Sequence, residues 1–127
     1  MKKALFIPLL FACFVSIGQI DSASIIGKSI RIGNLVVAQN DFRNPLSWDD
    51  AQKACNALGY GWRLPTQDEL TQIYLFRGGV GNFKSTLYMS STVRKGKMWC
   101  LSFRNDGDAN LFPKSDKVNF RAVRNFK

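Results

Sequence analysis

The chain has 127 residues, 46% of them hydrophobic and 13% aromatic, which is enough apolar surface for one core and too little length for two. Eighteen Lys and Arg stand against nine Asp and Glu, a formal charge of +9. Histidine is absent and Glu69 is the single glutamate, so His-based triads, His general bases and His metal ligands are excluded, and paired-carboxylate chemistry would rest on aspartates.

Lys2 and Lys3 precede an uncharged stretch, Ala4 to Gly18. A short basic start and an apolar run of this length read as a secretory signal peptide over residues 1–18. The run is too short for a membrane span and contains Pro8. Ser16 and Gly18 place cleavage before Gln19, and a second site follows Ala23. Leu10-Phe11-Ala12-Cys13 gives a weaker lipoprotein reading, because Phe11 is bulky there. An uncleaved N-terminal helix is the structural alternative. Cleavage after Gly18 leaves one domain, 19–127, with a net charge of +7 and no transmembrane segment. The expectation is an exported protein: periplasmic, cell-surface or secreted.

Ser24 to Ile32 alternates loosely and reads as a short strand or extended arm. Leu35-Val36-Val37-Ala38 is a β-branched run and a predicted strand. Ser47 then opens a helix: its hydroxyl can cap the first turn, and Asp49 and Asp50 suit the helix dipole. Trp48, Ala51, Cys55 and Leu58 recur on one face, and Gly59 follows as a left-handed cap. Thr66-Gln67-Asp68-Glu69 has the capping-box pattern of a second helix. Its inward stripe is Leu70, Ile73 and Tyr74, and Gly78-Gly79-Val80-Gly81 ends it in a flexible loop. From Met98 to Arg104 the side chains alternate, with Trp99, Leu101 and Phe103 on one face and Cys100 and Ser102 on the other. Asn105-Asp106-Gly107-Asp108 is a hairpin turn. Ala109 to Phe112 returns, and Val118 to Phe126 is the last strand, with Val118, Phe120 and Ala122 on one face. This order gives an α+β fold, with helices segregated from small antiparallel sheets.

Export makes a Cys55–Cys100 disulfide chemically allowed. Closing that loop would stabilise the fold by roughly 4 kcal/mol in the chain-entropy model. Two buried free thiols, packed as small hydrophobes, are the other reading, and the sequence leaves both open.

Several ordered blocks resemble one family. Leu46-Ser47-Trp48-Asp49-Asp50-Ala51 to Cys55, then Gly61-Trp62-Arg63-Leu64-Pro65-Thr66 to Glu69-Leu70, resemble the Legionella collagen-like protein C-terminal domain and the related Trp-Arg-Leu-Pro-Thr major-paralogue domains. Tyr88-Met89-Ser90-Ser91-Thr92, Met98-Trp99 to Phe103, and Phe120-Arg121-Ala122-Val123-Arg124 follow in the same order. The resemblance spans roughly Ile32 to Phe126. It implies a C-type-lectin-like fold of two helices, small sheets and a long irregular loop region. Met89 stands where the family often has tryptophan, which removes any stacking by that ring. Ala122 stands where some members have cysteine, which rules out a bridge from Cys55 to the last strand. Physically, Trp62 and Leu64 fill space between helices and sheet, Pro65 and Thr66 set the entry of the second helix, and Arg63 can hold carbonyls or a carboxylate. A role for Arg63 in ligand contact is the functional alternative.

Most catalytic constellations fail on inspection. Gly78 to Ser85 approaches a phosphate-binding loop, but Phe83 stands where glycine is required and a helix precedes it. Asp106, Asp108 and Asn110 alternate as calcium-loop ligands do, without the bidentate glutamate. The Glu-Pro-Asn, Gln-Pro-Asp and Trp-Asn-Asp triplets of sugar-binding lectins are absent. Ser90, Ser91 and Thr92 lack a histidine partner. No enzyme activity, metal or cofactor is expected. The bulk signal is basic: Arg94, Lys95 and Lys97 fall in one loop, and Arg104 and further cations crowd the C-terminal half. The expected function is an exported binding or adhesion module. Its expected partner is an anionic glycan or envelope polymer, or a surface protein, and not nucleic acid. A structural envelope protein without a small-molecule site is the first alternative, and an enzyme the second.

Overall fold

The computed structural model describes residues 21–104 and 106–127. The expected leader, 1–18, and Asn105 lie outside them. Along the chain run α1 (Ser22–Ile26), β1 (Ile30–Ile32), β2 (Leu35–Val37), α2 (Trp48–Asn56), α3 (Gln67–Leu75) and α4 (Arg77–Val80). Then come β3 (Leu87–Arg94), β4 (Lys97–Ser102), β5 (Ala109–Phe112) and β6 (Val123–Asn125). The strands form two antiparallel three-stranded sheets, β1-β2-β6 and β3-β4-β5. Pairing of Leu35 with Asn125 and Val37 with Val123 closes the domain, because it ties an early strand to the last one. No helix among the described residues is long and apolar enough to cross a membrane.

Two apolar clusters form the core, and β4 is shared between them. Met98 and Cys100 face the cluster that holds Trp62, Leu64, Met89, Phe120 and Ala122. Leu101 and Phe103, with the half-buried Trp99, face the cluster that holds Leu70, Ile73, Tyr88 and Val123. The period-two alternation read from the sequence thus divides this strand between two interiors. Helix α2 packs on β3, and α3 packs on β3 and β4.

Several local expectations change. The expected arm over Ser24–Ile32 is a helical turn followed by a strand. Asp21 accepts the Ser24 N–H at 3.2 Å, which caps that turn, and Gly27 ends it at φ 50°. Ser47 occupies the N-cap of α2 without a side-chain capping bond; the Trp48 N–H instead donates to the Lys114 carbonyl at 3.0 Å. Helix α2 ends at Asn56, so Gly59, at φ 82°, lies beyond its cap rather than on it. The glycine-rich segment after α3 is a helical turn anchored by buried Val80, not a free loop. The last strand is interrupted: Val118 bridges Leu46 and Asn119 bridges Tyr88 before β6 begins. Its side chains still alternate, and Val118, Phe120 and Ala122 share the first cluster.

Cys55 and Cys100 are free and buried, both in the first cluster. Of the two readings left open, the structure has the packed thiols and not the bridge.

Candidate functional site

The Trp-Arg-Leu-Pro-Thr segment is consumed by internal contacts. Trp62 and Leu64 are buried. Arg63 exchanges two backbone hydrogen bonds with Val123, each 2.8 Å, which lays the segment against β6. Its guanidinium donates to both Glu69 carboxylate oxygens, at 2.7 and 3.0 Å, and to Asn125 Oδ1 at 2.6 Å. Glu69 also completes the capping box with Thr66. One carboxylate thus satisfies a helix start and a fork of arginine donors together. Trp48 is half-buried, and its indole N–H donates to the Ser90 carbonyl at 3.1 Å. The Ser91 N–H donates to the Pro65 carbonyl, and Thr92 Oγ1 accepts from the Gln67 N–H. These contacts fasten β3 to the entry of α3. Met89 is wholly buried, so the residue at that position serves packing.

Burial pushes the Glu69 carboxyl up, but hydrogen bonds from Arg63 and Thr66 outweigh it and hold the group below its ordinary value. A carboxyl with a lowered folded-state value stabilises fully above its unfolded value of about 4.3 and loses that contribution as pH falls through the folded value. Between neutral pH and about pH 3, Glu69→Gln should therefore lose less melting temperature than wild type. Parallel curves in thermal melts would remove Glu69 from acid sensitivity.

A second network lies deeper. Arg121 is fully buried. Its Nε donates to Asp41 Oδ1 at 2.8 Å, and its other nitrogens donate to the carbonyls of Ala38, Gly81 and Asn82. The guanidinium stacks 3.9 Å from the Phe83 ring centroid. The Tyr88 hydroxyl donates to Asp41 Oδ2 at 2.6 Å and accepts from the Lys84 N–H. Burial, followed by the Asp41 hydrogen bond, raises the Tyr88 phenol. Phe83, read from sequence as the defect in a phosphate loop, is the platform for this arginine. Arg121 therefore leaves the set of surface cations. Nothing local in the sequence marks its pairing with Asp41, which lies 80 residues away.

The basic residues singled out for binding do not stay together. Arg94 and Lys97 are paired at the tip of the β3–β4 ribbon. Lys95 and Gly96 form the two-residue turn between them, at φ 54° and 73°. All three cations are exposed. Among the described residues none has a carboxylate within ion-pair distance; Arg94 donates to Gln67 Oε1 at 2.6 Å. Ser102 pairs with Leu87 at the other end of the ribbon. Arg104 lies beyond it, about 23 Å of extended strand from Lys97. It is exposed, and its carbonyl accepts from the Tyr74 hydroxyl.

Two open grooves flank the Arg63–Glu69 pair. A depression of about 270 Å³ lies between α2 and α3, lined by Gln52, Asn56, Arg63, Leu64, Thr66 and Ser91. A larger groove of about 670 Å³ opens where the ends of β1, β2 and β6 meet α3. The first is bordered by the Trp-Arg-Leu-Pro-Thr motif, including the Arg63 read as a possible ligand contact; the amides of the second carried no sequence signal.

No family model matches the chain, and no curated protein matches it. Solved structures do. Botrocetin superposes with a TM-score of 0.59 at 12% identity, covering 78% of this chain and 97% of its own. EMS16, an antagonist of the collagen receptor integrin alpha2beta1, gives 0.56 at 11% identity, covering 76% and 95%. The EPNH mutant of CEL-I gives 0.55 at 11% identity, covering 80% and 96%. The chain has a C-type-lectin-like fold. At these identities the likeness carries the architecture alone, and the ligand has to be argued from the surface.

Proposed function

We propose that the chain is an exported, non-catalytic binding module whose β3–β4 tip docks onto an anionic polysaccharide or a similarly charged envelope surface. The observation that carries this reading is the tip itself: Arg94, Lys95 and Lys97 stand exposed on a tight turn without carboxylate partners. A short turn held by paired strands presents these charges with little conformational freedom to lose. Extended anions need no deep pocket; several screened contacts, each reaching about 8 Å at physiological salt, suffice. The non-catalytic part is supported by the residues that might otherwise react. Burial pushes both cysteine thiols up to about 12, with Asp116 adding to the effect at Cys100, so neither supplies a thiolate near neutral pH. Ser90 is buried, and its hydroxyl donates to the Trp99 carbonyl at 2.6 Å. EMS16, an antagonist of the collagen receptor integrin alpha2beta1, shares this fold, which supports a binding role without specifying a ligand.

The test is retention on immobilised heparin. Lys95 sits at positive φ, where asparagine is tolerated, so the neutral variant is Arg94→Gln, Lys95→Asn, Lys97→Gln. It should elute at clearly lower salt than wild type with an unchanged melting temperature, because exposed charges carry little folding energy. Equal elution would remove the tip as the docking site. Arg104→Gln alone should change elution far less, since that residue stands at the other end of the ribbon.

A further inference from the structure

The groove at the ends of β1, β2 and β6 has a chemistry distinct from the basic tip. The amides of Asn34, Gln72 and Asn125 line it, with Glu69 and Lys127 and the apolar Ile32, Leu35 and Phe126. The side-chain amides of Asn34 and Gln72 make no hydrogen bond with any described residue; Asn125 uses its Oδ1 on Arg63 and keeps its Nδ2 free. Glu69 is already spent on Arg63 and the Thr66 N–H. The groove therefore offers neutral groups that both donate and accept, beside a carboxylate whose charge is compensated, with the exposed Lys127 as its one cation. Phe126 adds an apolar surface: it stays 42% exposed although the Arg31 guanidinium stacks 3.6 Å from its ring centroid.

We infer that this groove is a calcium-independent subsite for a neutral saccharide of one or two rings. Its volume of about 670 Å³ lies within the range of about 300–1,000 Å³ of small-ligand sites. Such sites are ordinarily lined mostly by apolar side chains with a few polar ones. Here polar side chains outnumber the apolar Ile32, Leu35 and Phe126, so the matching ligand is polar on most of its faces and apolar on one. Hydroxyls on a pyranose satisfy amide donors and acceptors alike, and the C–H face of the ring suits Phe126. A lipid tail would leave the amides unpaired, at a cost. An extended peptide would need free backbone groups to extend a ladder. The edges that meet here, β1 and β6, are only three residues long, and the Phe126 N–H is already given to the Asn34 carbonyl at 2.8 Å, which leaves little ladder to extend.

Saturation-transfer NMR on the purified protein tests this, with cellobiose, maltose, lactose and N,N′-diacetylchitobiose as probes. At least one should give a signal that survives EDTA, which removes calcium, and about 0.5 M NaCl, which strongly screens attraction between exposed charges. The double variant Asn34→Ala, Gln72→Ala alters two exposed side chains and should keep the wild-type melting temperature. It should bind that saccharide about tenfold more weakly, since it loses two neutral hydrogen-bonding groups. No signal from any probe, or equal binding by the folded double variant, overturns the assignment. Salt resistance also separates this site from the tip: heparin retention should be the same in the double variant and in wild type.

Discussion

Replacing Arg121 by methionine should destabilise the protein by about 3–5 kcal/mol, the cost of removing one partner from a buried ion pair. Methionine keeps much of the volume and removes the charge and the fork of donors. Asp41, with its side chain 8% exposed, would then retain only the Tyr88 hydroxyl. The carbonyls of Ala38, Gly81 and Asn82 would lose the donor that gathers them, and Phe83 would lose its stacked cation. Against a total stability of about 5–15 kcal/mol for a small domain, that is a large fraction. Urea unfolding measures it directly. The pairing predicts non-additivity as well: adding Asp41→Asn to Arg121→Met should cost less than the sum of the two single changes. A midpoint within error of wild type for Arg121→Met would show that the network carries no folding energy.

Trp62→Ala should also cost about 3–5 kcal/mol, through lost transfer energy and the cavity left behind. The ring is 4% exposed, sits in the first cluster and has the Arg124 guanidinium 5.5 Å from its centroid. Trp62→Phe keeps most of the apolar contact and should cost distinctly less. Thermal melts of the pair separate packing from a backbone effect: equal losses in both variants would mean that the ring does not fill the core.

What could be read from the chain beforehand follows the range of the interactions involved. The capping box at Thr66 and Glu69 is local, three residues apart, and it forms as written. The alternation through Met98–Phe103 is local too, and it correctly separates two faces. The antiparallel pairing of β4 with β5 follows from the turn chemistry between them. Arg121 was opaque because its partners come from residues 38–41 and 81–83, brought together only by the closed fold. The basic group was half legible. Arg94, Lys95 and Lys97 are neighbours in sequence and remain so in space, whereas Arg104 was grouped with them by sequence distance alone, which an extended strand stretches apart. The amide-lined groove had no sequence signal, since Asn34, Gln72 and Asn125 are ordinary surface residues until three elements converge. The cysteines could not be settled by spacing, because whether two sulfurs meet depends on geometry the spacing does not contain.

A residue-resolved NMR titration decides whether the β3–β4 tip docks anions. Nitrogen-15-labelled protein would be titrated with a heparin-derived oligosaccharide at low and at physiological salt. The amide shifts should concentrate at Val93–Met98 and at the Gln67 side chain that accepts from Arg94, and they should weaken steeply as salt rises. Shifts centred on Arg104 or spread evenly over the surface, or shifts at the tip that ignore salt, would contradict it.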